Sequence, residues 1–192
     1  MSEKQKFPWE IAKPVAEELV EALAPFCLPD RCMAAGSLRR LKRQVGDVEI
    51  VYVPEVEIRP KVGDMFATEQ VELAGEDLYR LIHAGQIAMR ENVKGQTTWG
   101  EQIKLARHVA SGIPVDFFAI CASSWFNYLV CRTGPKESNV AICMAAEKRG
   151  MQWRPYSAGF LCAETGVIIP MRSEQEVFET VGLRYLEPKD RK

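Results

Sequence analysis

The segment Ile113-Pro114-Val115-Asp116-Phe117-Phe118-Ala119-Ile120 constrains this chain more than any other, because it is apolar apart from a single acid. A short run of that kind reads as a strand buried on both faces. A lone carboxylate there is costly unless something offsets its charge, so the fold must bring a partner to Asp116. Upstream, Gly36-Ser37-Leu38-Arg39-Arg40 is followed after a short gap by Gly46-Asp47-Val48-Glu49-Ile50-Val51. Residues two apart on a strand project from one face, about 6.6 to 6.8 Å apart, which lets Asp47 and Glu49 act together. Set beside Asp116, they form a trio of hard oxygen donors that a divalent cation would neutralise.

Length and composition narrow the frame around this trio. A chain of 192 residues with a hydrophobic fraction of 47% has enough material for one domain or two small ones with a real core. No apolar run is long enough to span a bilayer, and Met-Ser-Glu-Lys-Gln-Lys at the start lacks the apolar centre of a signal peptide, so no membrane association is expected and a cytoplasmic location is. The six cysteines, Cys27, Cys32, Cys121, Cys131, Cys143 and Cys162, show neither Cys-x-x-Cys pairs nor histidines at zinc spacing and are expected to be reduced structural thiols. The 25 basic and 26 acidic residues give a net charge of -1, so any grip on nucleic acid should be weak and salt-sensitive. Basic residues still gather at Arg39, Arg40, Lys42 and Arg43, at Arg132 and Lys136, and at Lys148, Arg149 and Arg154. Each cluster is either a contact for an anion or a solvated face.

Periodicity predicts an amphipathic helix over residues 9–25, ended by Pro29-Asp30, then strands over 31–35 and 47–53. Residues 54–63 read as a loop and 73–85 as a helix. Strands over 102–109 and 114–120 would bring Asp116 beside Asp47. Pro135 suits a first helical position for a helix over 136–148 that stops at Gly150. Strand-like pieces at 152–156, 160–163 and 167–169 follow, with Glu164-Thr165-Gly166 as a turn. Ser173 and Glu176 form a capping box for a last helix ending at Gly182.

The Gly-Ser turn, the arginine pair and the Gly-Asp-x-Glu segment together resemble the DNA polymerase beta (family X) branch of the nucleotidyltransferases. Arg132-Thr133-Gly134-Pro135 with Asn139 resembles that family's nucleotide-pocket turn, and Tyr185-Leu186-Glu187-Pro188-Lys189-Asp190-Arg191-Lys192 its thumb terminus. The likeness covers roughly residues 30–192 and is weakest between Pro54 and Gly100. It implies an α+β fold: a nucleotidyltransferase palm, with a mixed β-sheet and helices on one face, over residues 1–125, and a small α/β thumb over 126–192. Only 35 residues precede Gly36, too few for an amino-terminal lyase or helix-hairpin-helix domain, so a minimal palm-thumb form is implied.

The same resemblance assigns roles. Asp47, Glu49 and Asp116 are implied as the catalytic residues and as ligands of two Mg²⁺ ions, for which Mn²⁺ may substitute, with Asp116 also helping to deprotonate a primer 3′-hydroxyl. Gly36, Ser37, Arg40, Gly46, Arg132, Gly134 and Asn139 are implied in binding a nucleoside triphosphate, and the Gly134–Pro135 bond is expected to be cis. Three departures limit the transfer. Glu49 stands where an Asp is usual, Cys131-Arg132 where many members have an aromatic pair beside the sugar, and Cys143 where several offer the template an arginine.

Other residues have blander readings. Lys104 and Arg107 read as exposed strand cations, His83 and His108 as structural histidines, and Trp99, Trp125 and Trp153 as core packing. The leading expectation is a DNA polymerase that binds primer-template or gapped DNA weakly, with short-gap repair as its setting. The alternatives are a template-independent nucleotidyltransferase acting on DNA, RNA or another acceptor, and a catalytically weak nucleic-acid-binding module. Retention of Asp47, Glu49, Asp116 and Ser37 argues against the last.

Overall fold

The computed structural model describes residues 5–64 and 66–191. A two-residue strand, β1 (Phe7–Pro8), leads into helix α1 (Trp9–Leu23), which buries Ala12, Val15, Ala16, Leu19 and Leu23 along one stripe. Strand β2 (Cys27–Ala34) follows, then the single helical turn α2 (Gly36–Arg39), and then β3 (Gln44–Val45), which pairs back onto β1. Next come β4 (Val48–Pro54), the hairpin of β5 (Val56–Pro60) and β6 (Thr68–Glu72), and helix α3 (Leu73–His83). Three strands complete this half: β7 (Ile87–Met89), β8 (Ile103–His108) and β9 (Pro114–Ala119).

The main sheet has the order β2-β4-β9-β8-β7. Its central pair, β4 with β9, is parallel, and the other neighbours are antiparallel. Alternation along the central strands divides their side chains between two cores. Val48, Ile50 and Tyr52 of β4 and Val115, Phe117 and Ala119 of β9 pack with residues of α1 and α3. Val51, Val53 and Phe118 turn the other way, against Trp125, Tyr128 and Leu129 of α4 (Trp125–Thr133). Both faces of β4 and β9 are therefore covered, which is why their sequences run nearly continuously apolar. Glu49 and Asp116 fall on the α4 face by the same alternation.

After α4 come α5 (Lys136–Glu147), a three-stranded antiparallel sheet of β10 (Met151–Trp153), β11 (Gly159–Cys162) and β12 (Ile168–Pro170), and α6 (Glu174–Thr180). Their own core contains Val130, Ile142, Ala146, Trp153, Phe160, Val177 and Phe178. Fully buried Asn127 joins α4 to this sheet. Its side-chain N–H donates to the carbonyls of Arg154, 2.5 Å, and Ser157, 3.0 Å, while its Oδ1 accepts from the Trp153 indole at 2.6 Å. Every polar atom of that amide except its second lone pairs is thus used where water cannot reach.

Several expectations need correction. The segment read as a loop, 54–63, is largely strand β5: prolines at 54 and 60 mask it, and only pairing with β6 gives it ladder partners. Lys104 is buried, with its ammonium donating to the Glu101 carbonyl at 2.7 Å and lying 3.9 Å from Glu72. Pro135 precedes the first residue of α5 with extended backbone, and the Gly134–Pro135 bond is cis, as expected. Trp125 and Trp153 are core residues, and His108 is held by Ser111 at 2.8 Å. The cap of α6 is half of the expected box: the Ser173 hydroxyl accepts from the Glu176 N–H, but Glu176 accepts from the Arg172 N–H.

A three-residue clamp joins the two halves. Arg39 of α2 donates to both oxygens of Glu174, at 2.6 and 3.0 Å, and to Thr133 Oγ1 at 2.8 Å. Arg191 in the tail, with its side chain fully buried, donates to Glu174 Oε2 at 2.9 Å and to the Leu186 carbonyl at 2.9 Å. Burial would push the Glu174 carboxyl up, but the hydrogen bonds and charges of Arg39 and Arg191 outweigh it and hold the group below its ordinary value. Its stabilising effect is therefore complete above the unfolded-state pKa, near 4.3, and is lost as pH falls through the lower folded value. Glu174→Gln should lower unfolding free energy by about 3 kcal/mol at pH 7. In denaturant titrations that difference should shrink steadily below about pH 4.

Candidate active site

Strand register builds the site. Glu49 lies directly opposite Asp116 across the parallel β4–β9 pair, and Leu105 lies opposite Asp116 on the far side. The Ala35 N–H donates to the Glu49 carbonyl at 2.8 Å, and the Arg90 N–H donates to the Leu105 carbonyl at 3.0 Å. One row thus crosses the whole sheet, running Ala35, Glu49, Asp116, Leu105, Arg90. Asp47 and Gly46 stand at the entry to β4, both half-buried.

The turn after β2 closes over Glu49. Gly36 has φ +64°, a left-handed conformation that glycine adopts without strain. It is also pressed against the carboxylate: a Cβ on Gly36 would collide with Glu49 Oε2. Ser37 follows, half-buried, with its carbonyl accepting from the Lys42 N–H at 3.1 Å. The Arg40 guanidinium donates to the Thr133 carbonyl. That contact ties α2 to the turn containing Gly134, whose φ of +62° again requires a residue without a Cβ.

Arg132 approaches from α4. Its guanidinium is 3.9 Å from Glu49 Oε1, stacks over Phe118 at 3.8 Å and sits 5.3 Å from the Tyr128 ring. A cation on aromatic faces is favoured over one buried among aliphatic groups. The cation therefore occupies the ground beside Glu49 without competing for water. Arg132 also borders a cavity of about 830 Å³ shared with Val53, Ile120, Ser124, Tyr128 and Tyr156, whose lining includes Glu72 and Glu101 but not Asp47, Glu49 or Asp116. The Asn139 amide N–H donates to the Cys131 carbonyl at 2.9 Å, and its buried Oδ1 has no partner among the described residues.

Electrostatics bind the acids into one unit. Burial, first, and the neighbouring Asp47 push the Glu49 carboxyl up to about 7, with Asp116 adding to the rise and Arg132 and Arg40 opposing it. Asp116 accepts a charge-assisted hydrogen bond from Arg90 Nη2. Among the described residues, no three His, Cys, Asp or Glu side chains converge tightly enough to hold one ion as placed. Backbone register brings Glu49 and Asp116 side by side, and Asp47 and Asp116 both act on the Glu49 carboxyl. Arg90 escaped the sequence reading. It lies 26 residues before Asp116 in a stretch without any motif, and only the β7-β8-β9 ladder brings it near.

The DNA polymerase beta thumb family matches residues 128–192. The chain is 26% identical over 188 residues to the DNA polymerase/3′-5′ exonuclease PolX of Bacillus subtilis (strain 168), covering 97% of this chain but only 29% of that protein. Its fold is similar to that of Leishmania infantum polymerase beta in a ternary P/T complex, with a TM-score of 0.73 and 19% identity over 98% of this chain and 77% of that one.

The contact between Gly36 and Glu49 is open to a direct test. Gly36→Ala should destabilise the protein by about 2 kcal/mol through left-handed strain and the displaced carboxylate. Adding Glu49→Ala should restore part of that loss, which a double-mutant cycle on unfolding free energies would read as coupling of about 1 kcal/mol.

Proposed function

We propose that this chain, a relative of the DNA polymerase beta (family X) enzymes with that family's thumb, is a DNA polymerase that transfers a nucleotide from a dNTP to a primer 3′-hydroxyl. The observation that carries the proposal is the register of Glu49 against Asp116 on a parallel strand pair, with Asp47 just before the strand and close enough to raise the Glu49 carboxyl. The reading divides the chain into a palm over residues 1–125 and a thumb over 126–192. Primer-template or gapped DNA is the proposed partner, and short-gap repair is the setting. The six cysteines are free, in keeping with a reducing cytoplasm.

The donor set fits a hard divalent cation: three carboxylates, one of them buried against two like charges. Asp47, Glu49 and Asp116 would hold two Mg²⁺ or Mn²⁺ ions. Bound there, the ions would neutralise phosphate charge and lower the pKa of the attacking hydroxyl. The chain's own groups supply positioning, on which phosphoryl transfer chiefly depends. The Ser37 hydroxyl and the nearby N–H groups would serve as neutral donors to the triphosphate, and Arg40 as a charged one. An Asp116 oxygen would take the proton from the 3′-hydroxyl. Gly134, which has no Cβ, lets the Arg40 guanidinium lie close against the turn between α4 and α5.

A template-independent transferase is the second reading. Arg132 in place of an aromatic residue weakens the means of checking an incoming nucleotide, and of the Asn139 amide the N–H is taken by a backbone carbonyl, which leaves only its Oδ1 without a partner. Extension of a labelled primer on single-stranded, recessed and one-nucleotide-gapped DNA, with each dNTP and with Mg²⁺ or Mn²⁺, separates the two. Complementary incorporation reduced at least about a hundredfold in Asp116→Ala is the expected outcome. Addition indifferent to template would establish the second reading, and addition equal in wild type and variant would refute both.

A further inference from the structure

The cross-sheet row that aligns Glu49 and Asp116 also places an arginine at each end of the acidic pair. Arg132 is 3.9 Å from Glu49 on the α4 side. Arg90, at the opposite end, sits just beyond edge strand β7, and its side chain passes the buried Leu105 to donate to Asp116. Two strand spacings, about 10 Å, separate the Arg90 and Asp116 positions, a span within an extended arginine's reach. Nothing in the polymerase reading uses Arg90.

We propose that Arg90 is a built-in counter-ion of Asp116, a positioning residue that holds this carboxylate away from Asp47 and Glu49 until a divalent cation displaces the guanidinium, and so sets the cation affinity of the site. The inference rests on the metal-dependent reading above. Three features of the geometry support it. Asp116 is largely buried, with its side chain 17% exposed, so without metal it needs a positive neighbour. Arg90 meets that need through one terminal nitrogen, while its other terminal nitrogen makes a long 3.3 Å contact with the Glu91 carbonyl and its buried Nε has no partner. A guanidinium with an orphaned buried donor is held less firmly than one using its full fork, which leaves it displaceable. Finally, the Arg90 side chain is 28% exposed, and water can accept the head group once it swings away from the sheet.

The contrast with Arg39 is informative. Arg39 grips Glu174 through both carboxylate oxygens and also holds Thr133, an arrangement suited to a permanent joint. Arg90 has one contact to Asp116 and an unused donor, an arrangement suited to exchange.

The test is Mn²⁺ binding to the full chain, measured by loss of the free-ion electron paramagnetic resonance signal, for wild type, Arg90→Gln, Arg90→Lys and Asp116→Asn. Removing one positive charge about 6 Å from a divalent ion should tighten binding about tenfold in Arg90→Gln, with Arg90→Lys near wild type and Asp116→Asn weakened. In parallel, Mn²⁺ should raise the melting temperature of Arg90→Gln more than that of wild type, because the variant lacks the guanidinium that donates to Asp116 in the apo protein. Equal or weaker Mn²⁺ binding in Arg90→Gln, with Asp116→Asn still weakened, would overturn the counter-ion role and leave the metal site standing. Mn²⁺ binding by none of the four proteins, with or without dNTP, would overturn the metal reading and this inference with it.

Discussion

Parallel pairing of β4 with β9 places Glu49 opposite Asp116, and much of the surrounding structure answers the electrostatic cost of that register. Two carboxylates on one face of a covered sheet, with a third two residues away, repel one another where solvent screening is weak. The elevated Glu49 carboxyl is the direct expression of that cost. Three cations answer the acidic pair: Arg132 on its aromatic bed and Arg40 at the end of α2 act on Glu49, and Arg90 from the far edge of the sheet donates to Asp116. Like charges gathered where solvent screening is weak, with arginines around them, are more characteristic of a functional site than of packing alone.

The same constraint explains why α2 is a single turn beginning with glycine. Glu49 fills the space that a side chain at position 36 would occupy, so the turn can approach the carboxylate only with hydrogen there. Arg39 and Arg40 leave this turn in different directions with different partners. Arg39 fixes α2 to α6 and the tail through Glu174, whereas Arg40 reaches the carbonyl before the Gly134–Pro135 turn. Two adjacent arginines thus connect the acidic site to both ends of the proposed thumb. The pairing of Glu174 with two buried or half-buried cations is strong because both guanidinium groups are also hydrogen-bonded elsewhere.

Helix α4 is the point at which the two cores meet. Trp125, Tyr128 and Leu129 belong to the core on the sheet, while Val130 belongs to the core of the second half. Asn127, on the same helix, anchors the β10–β11 connection through three hydrogen bonds. Motion of the second half relative to the sheet would therefore be carried by α4, with Arg132 near its end and Glu49 within reach.

The sequence by itself determined the elements whose signals are local. The stripe of α1, the apolar strands that carry the acids and the capping serine of α6 were all legible, because periodicity or a cap specifies each within a few residues, whereas the cis bond before α5 was expected only from the family resemblance. Three motifs in order also pointed to the family, which the thumb match and the related chains support. Only the tertiary structure decided which groups meet. It made a strand of residues 56–60 by supplying β6, buried Lys104 beneath Glu72 and Glu101, turned Asn139 toward Cys131, and joined Arg39 to Glu174 across 135 positions. It also delivered Arg90 to Asp116. Such pairings depend on strand order and on the competition among buried charges for partners, and neither is written in the spacing of any one segment.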